Sequence, residues 1–178
     1  MARIEKKNIK TIIFSIFVLL GLTTILYSNP YNVKEMIGFI EKHTDLKYKN
    51  FPLPDVKTVQ QKEICRGVYI PPREECDIAG YYDHEQNIIF ISDQPGTYMV
   101  ADRFEEVVLV HELVHFLQYF NGVYEQVSCQ QELEQDAFDV QDIYVRENNI
   151  DPRNAPDPLF AMIVSNCPTI PPWITDEQ

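Results

Sequence analysis

The sequence predicts an α+β domain: a short antiparallel sheet, a central helix and a second helix, preceded by an apolar N-terminal segment. Three observations predict it. Residues 67–93 are β-like in composition, residues 102–148 carry two helical patterns, and residues 11–33 contain no charge at all. The chain has 178 residues, 45% of them hydrophobic, which is enough for one domain with a core of its own.

The N-terminal segment comes first. Arg3, Lys6, Lys7 and Lys10 stand against Glu5 alone, so residues 1–28 carry +3 and the remainder −15 of the net −12. Thr11–Tyr27 is almost wholly apolar. As a helix it would span roughly 26 Å, close to the hydrocarbon thickness of a bilayer. It lacks the polar face of an ordinary core helix. Residues 1–28 are therefore expected to be an uncleaved transmembrane signal-anchor, because Leu26-Tyr27-Ser28 is a poor signal-peptidase site; a cleaved signal peptide and secretion is the alternative. Basic residues stay in the cytoplasm, which puts residues 29–178 on the periplasmic or extracellular face. Such an acidic body has no basic patch with which to neutralise phosphates, so a nucleic-acid partner is excluded.

Val33–His43 is helical, with Met36, Ile37 and Ile40 on one side, and a Pro-broken connection follows through Phe51-Pro52-Leu53-Pro54. Val68-Tyr69-Ile70, Ile78–Asp83 and Ile88–Ser92 are the expected strands, the last two joined by a polar turn at His84–Asn87. Asp102-Arg103-Phe104-Glu105 has the form of a capping box, and the helix it starts should end at Asn121-Gly122. Apolar nearly all round, this helix belongs at the centre of the domain. A second helix is expected from about Cys129 to Asn148, with Leu133, Ala137, Val140 and Tyr144 facing inward, and a short helix near Phe160–Val164.

All four cysteines lie in the exported part, where disulfides form, and none has the close spacing of a zinc knuckle. Of the three connectivities, Cys65–Cys76 with Cys129–Cys167 is favoured. The first closes a short loop around Pro71-Pro72; the second ties the tail to the second helix.

On the central helix lies His111-Glu112-Leu113-Val114-His115. Residues four apart share a helix face, so two imidazoles can grip one ion while the intervening Glu reaches its water. Two His and a Glu inside an otherwise apolar helix would cost several kcal/mol unless satisfied, and a bound cation satisfies them. No histidine follows His115, so a third donor must be acidic. Glu132, Glu134 and Asp136 are the candidates. At about 100° per residue, Glu132 and Asp136 share the edge next to the inward stripe, while Glu134, beside Phe138, points more than a quarter-turn away from it and is not expected to take part.

This pair of motifs, His111–His115 and then Glu132-Leu133-Glu134-Gln135-Asp136-Ala137-Phe138, resembles the gluzincin branch of the zincin metallopeptidases, over roughly residues 102–148. Small exported bacterial proteins of unassigned substrate share the pattern. The resemblance implies a small zincin-like domain with Zn2+ held by His111, His115 and Glu132, and with Asp136 orienting a ligand histidine. It implies a zinc metallopeptidase acting on a peptide or protein substrate, with Glu112 as the general base that activates water on the ion. A strand ahead of the metal helix would hold the peptide by edge pairing, with Ile88–Ser92 the natural candidate. Tyr81, Tyr82, His84, Tyr124 and Tyr144 are unranked candidates for oxyanion donor. The competing expectation is a non-catalytic zinc-containing binding or assembly protein of the cell envelope, which would have no need of Glu112.

Overall fold

The computed structural model describes residues 31–68, 72, 74–96 and 99–167. They belong to a single unit that begins at Tyr31. The expected membrane segment, residues 1–28, lies outside the described residues; among the latter, no helix is long and apolar enough to cross a membrane. The elements run α1 (Val33–His43), β1 (Asp55–Val59), α2 (Gln61–Val68), β2 (Gly80–Asp83), β3 (Ile88–Ser92), α3 (Phe104–Phe120), α4 (Glu132–Glu147), a 3-10 turn (Pro152–Asn154) and α5 (Pro158–Val164). The α+β class holds.

Helix α3 is the core. From Val107 to Gln118 every side chain is buried, so the helix has no solvent face. Ile89, Ile91 and Tyr82 of the sheet, Met36, Ile37 and Ile40 of α1, and Ala137, Val140 and Tyr144 of α4 join it in one apolar cluster. Each fully buried Val, Leu or Phe contributes about 1.5–3 kcal/mol over an exposed one. Such a helix is stable only because its partners cover it on several sides.

The sheet is mixed rather than antiparallel, with strand order β1-β3-β2. The β2–β3 hairpin is as expected. Asp83 Oδ1 accepts from the Glu85 and Gln86 N–H groups at 3.0 Å, and Asn87 takes a left-handed φ of 55° to close the turn. The third strand, β1, pairs parallel to β3. Asn87 Nδ2 donates to the carbonyls of Pro52 and Leu53, tying the approach to β1 onto the hairpin. With Asp55, Lys57 and Thr58 exposed, Asp55–Val59 has little apolar pattern of its own, and pairing with β3 makes it a strand.

Two other expectations are corrected. Val68 ends helix α2 instead of starting a strand, while Tyr69 and Ile70 lie outside the described residues. Asp102 does not cap α3: the cap position is Arg103, left-handed at φ 56°, with no side-chain cap hydrogen bond. The Arg103 guanidinium is held instead by Glu106 and by the Asn148 carbonyl, and the Asp102 carbonyl accepts from Asn154 Nδ2. Tertiary contacts have replaced the local cap. At its other end α3 stops as expected, where Gly122 turns the chain at φ 72°.

Helix α4 begins at Glu132, three residues later than expected, with its inward stripe as read. Both favoured disulfides are formed, Cys65–Cys76 and Cys129–Cys167, and no cysteine is free. The second joins the chain just ahead of α4 to the chain just after α5. Alkylation without reduction should therefore label no cysteine, and proteolysis should release Cys65 linked to Cys76 and Cys129 linked to Cys167. A labelled thiol or any other pairing in the peptide map would contradict the structure.

Candidate metal centre

His111 and His115, one turn apart on α3, face α4 with their Nε2 atoms 3.2 Å apart. Between them and solvent stands Glu134, with Oε2 3.1 Å from His111 Nε2 and Oε1 3.6 Å from His115 Nε2. One donor atom from each of the three residues falls within 4.8 Å of the others. Both imidazoles are about nine-tenths buried, whereas the Glu134 side chain is 33% exposed, so the carboxylate forms the wet side of the cluster.

The acidic member of the cluster is Glu134, not the expected Glu132. Glu132 sits at the first position of α4 and bends back to accept from the Ser128 N–H at 3.0 Å. It also lies beside Cys167 and Cys129, whose sulfurs are bonded to each other and offer no thiolate. Asp136 touches neither histidine; it lines a cleft on the far edge of α4 with His43, Val123 and Asp139. The reason is geometrical. An inward stripe has two edges, and the one facing α3 carries Glu134, Phe138 and Gln141 at spacings of four and three.

The orienting role expected of Asp136 falls to two glutamines that the sequence reading missed. His111 Nδ1 meets Gln141 Oε1 at 3.0 Å, and His115 Nδ1 meets Gln118 Oε1 at 2.9 Å. Each amide is locked by its other end: Gln141 Nε2 donates to the Asn154 carbonyl at 3.1 Å and Gln118 Nε2 to the Leu133 carbonyl at 2.9 Å. With both amide oxygens turned inward, each Nδ1 is the donor, and each Nε2 is left to face Glu134. A signal was present in the sequence. Gln118 lies one turn after His115 on a helix with no solvent face, where an amide needs a polar partner.

The electrostatics follow from burial and proximity. Burial would depress the His115 imidazole, but the hydrogen bond to Glu134 and the charges of Glu112 and Glu134 outweigh it, raising the pKa to about 9. Burial would likewise raise the Glu134 carboxyl; hydrogen bonds to His111 and His115 win and hold it well below the usual carboxylate range. Without an ion, the contacts with the two imidazoles satisfy the carboxylate. A divalent cation would replace them, and two imidazole nitrogens with one carboxylate are a donor set that suits zinc.

Glu112 points from α3 toward the sheet and is only 5% exposed. Burial raises its carboxyl above the usual range, against the pull of the two imidazoles and of a hydrogen bond from the Tyr82 N–H. Strand β3, the expected peptide holder, is the central strand with no free edge; β2 has one. The Ser92 N–H donates to the Ala79 carbonyl at 2.8 Å, so in antiparallel pairing residues 79, 81 and 83 turn toward β3, while Gly80 and Tyr82 present their backbone groups outward. Among the oxyanion candidates, Tyr144 donates to Glu106 and Tyr82 to Asn87, both away from the cluster. His84 is an exposed turn residue whose ring packs on Tyr119 and Tyr124. Tyr124 is raised mainly by burial, then by the charges of Glu112, Tyr82 and Glu134; Tyr81 also feels Glu112.

Residues 27–169 match a family described as a domain of unknown function, DUF6647, and the chain belongs to that family. No curated protein and no solved structure matches the chain.

The geometry separates the acidic residues. Glu134→Ala should reduce zinc affinity about as much as His111→Ala, while Glu132→Ala should leave it near wild type. Gln141→Ala and Gln118→Ala should each weaken zinc binding by roughly 10- to 100-fold, the range for partners that orient a ligand histidine. Titration against a competing chelator measures all five variants; a wild-type constant for Glu134→Ala would remove this carboxylate from the site.

Proposed function

We propose that this member of the DUF6647 family is a zinc-dependent metallopeptidase, with His111, His115 and Glu134 as the ligands and Glu112 as the general base. The observation that carries the proposal is the convergence of two amide-oriented imidazoles and one carboxylate, with a second, buried carboxylate directly beside them. When bound, zinc acidifies a coordinated water and polarises a substrate carbonyl.

The residues divide the remaining work. Glu112, desolvated and with a raised pKa, accepts the proton from water and delivers it to the leaving amine. Tyr124, its phenol kept protonated by burial and by the negative charge around it, supplies the hydrogen bond to the developing oxyanion. The outward N–H and carbonyl of Gly80 and the outward carbonyl of Tyr82 on β2 hold an extended peptide by edge pairing, the role first expected of β3, while the Tyr82 N–H serves Glu112. The two disulfides, the acidic body and the basic, then apolar, N-terminus support an anchored domain facing away from the cytoplasm.

The test is peptide hydrolysis by the zinc-loaded chain. Glu112→Gln should keep zinc and the wild-type unfolding temperature yet lose hydrolysis by several orders of magnitude, since it removes the base without removing a ligand. Tyr124→Phe should lower kcat by about 10- to 1,000-fold with zinc content unchanged. Cleavage at the wild-type rate by Glu112→Gln would end the hydrolytic mechanism. For the topology, a reporter fused after Gln178 should be active only outside the cytoplasm.

A further inference from the structure

A side chain at position 80 would have nowhere to go. A Cβ built there would lie 2.5 Å from Val108 Cγ1, 2.7 Å from Glu112 Oε1 and 3.0 Å from Glu112 Cγ, all inside van der Waals contact. Conformation is not the reason for glycine, because Gly80 lies in an ordinary strand rather than at a positive φ. Gly38, Gly67 and Gly96, by contrast, have open space where their Cβ would be. Space is the reason, and the space is filled by Val108 Cγ1 and the side chain of Glu112 together.

Two residues along, on the same outward-facing side of β2, the Tyr82 N–H donates to that carboxylate. Glu112 is thus bounded by the bare Cα of Gly80, tethered by the Tyr82 amide, and rooted between the two histidines on α3. Tyr82 is itself fixed. Its ring is 4% exposed, its hydroxyl donates to Asn87 Oδ1 at 3.1 Å, and it packs edge-on against Phe116 at 5.8 Å. The tether therefore starts from an immobile point.

We infer that Gly80 is a positioning residue: its missing side chain forms the seat in which β2 holds the Glu112 carboxylate beside the histidine pair. The inference rests on the hydrolytic reading for its catalytic meaning, but the seat is a property of the fold. Any side chain at position 80 pushes β2 away from α3, carries the Tyr82 N–H with it and swings the carboxylate away from the histidine pair. The ligands stay where they are, because His111, His115 and Glu134 are held by α3, α4 and the two glutamines. The seat also explains why the edge strand can lie so close to the cluster. A peptide paired to β2 is then brought alongside the base by the same residue that admits the base.

The experiment uses the full chain loaded with zinc, and it has two arms. In the first, without substrate, unfolding temperatures are measured for Gly80→Ala in a Val108→Ala background, with and without Glu112→Asp, which shortens the side chain by one methylene. Gly80→Ala should cost about 5 °C beside Glu112 and markedly less beside Asp at that position. Equal losses in both backgrounds overturn the seat. In the second arm, the best-cleaved peptide from a quenched, randomised library is followed. Gly80→Ala should retain zinc and KM but lose at least tenfold in kcat, whereas adding it to Glu112→Asp should cost little more. A kcat at the wild-type level, or losses that simply multiply, overturn the positioning role. If the zinc-loaded wild type cleaves nothing, the hydrolytic reading fails and the catalytic meaning of the seat fails with it, while the first arm still decides whether the seat exists.

Discussion

Everything around the site depends on the burial of two imidazoles and a carboxylate in a helix that has no solvent face. Little of their surface is open to water, so the fold must supply their partners, and a polar group left unpaired there would cost a few kcal/mol. Helix α4 supplies Glu134 and Gln141, α3 supplies Gln118, and β2 supplies the Tyr82 N–H. The partners come from three elements. Packing and polar satisfaction thus impose the same arrangement, which fixes where α4 and β2 must lie against α3.

The partners differ in kind, and the difference has chemical consequences. A carboxylate on a ligand histidine would add negative charge behind the site, whereas the amides of Gln118 and Gln141 orient the rings without adding charge. The negative charge is concentrated on the two carboxylates at the centre. Glu134 faces solvent and is held ionised by the histidines, while Glu112 is buried and biased toward its neutral form. Their environments have driven the two acids apart, one toward its ionised and one toward its neutral form, the pattern expected of the ligand and the proton carrier in the proposed mechanism.

Support for α4 is covalent as well as packed. Its first turn has no side-chain cap, and Glu134 lies within that turn, where a helix frays most readily. The Cys129–Cys167 bond and the Glu132 contact to the Ser128 N–H hold the chain entering this turn. Glu132 therefore serves the site as an anchor of the backbone that carries Glu134. At the other end of the network, Asn154 joins Gln141 to the Val100 N–H and the Asp102 carbonyl, so the loop after α4 and the entry to α3 are held by the same residue.

The sequence by itself determined the elements whose signal is local. The helix at Val33–His43, the β2–β3 hairpin, the stop at Gly122 and the His111–His115 pair were legible, because periodicity, turn chemistry and four-residue spacing act over a few residues. Tertiary structure alone decided β1, which is a strand only because β3 lies beside it, and the start of α3, where Arg103 exchanges a local cap for contacts with Glu106 and Asn148. It also decided which acid meets the histidines. Periodicity locates the buried stripe of α4 but treats its two edges alike; the edge that faces α3 is set by how the helices pack, and that packing brings Glu134 and Gln141 inward and leaves Glu132 and Asp136 outside the cluster.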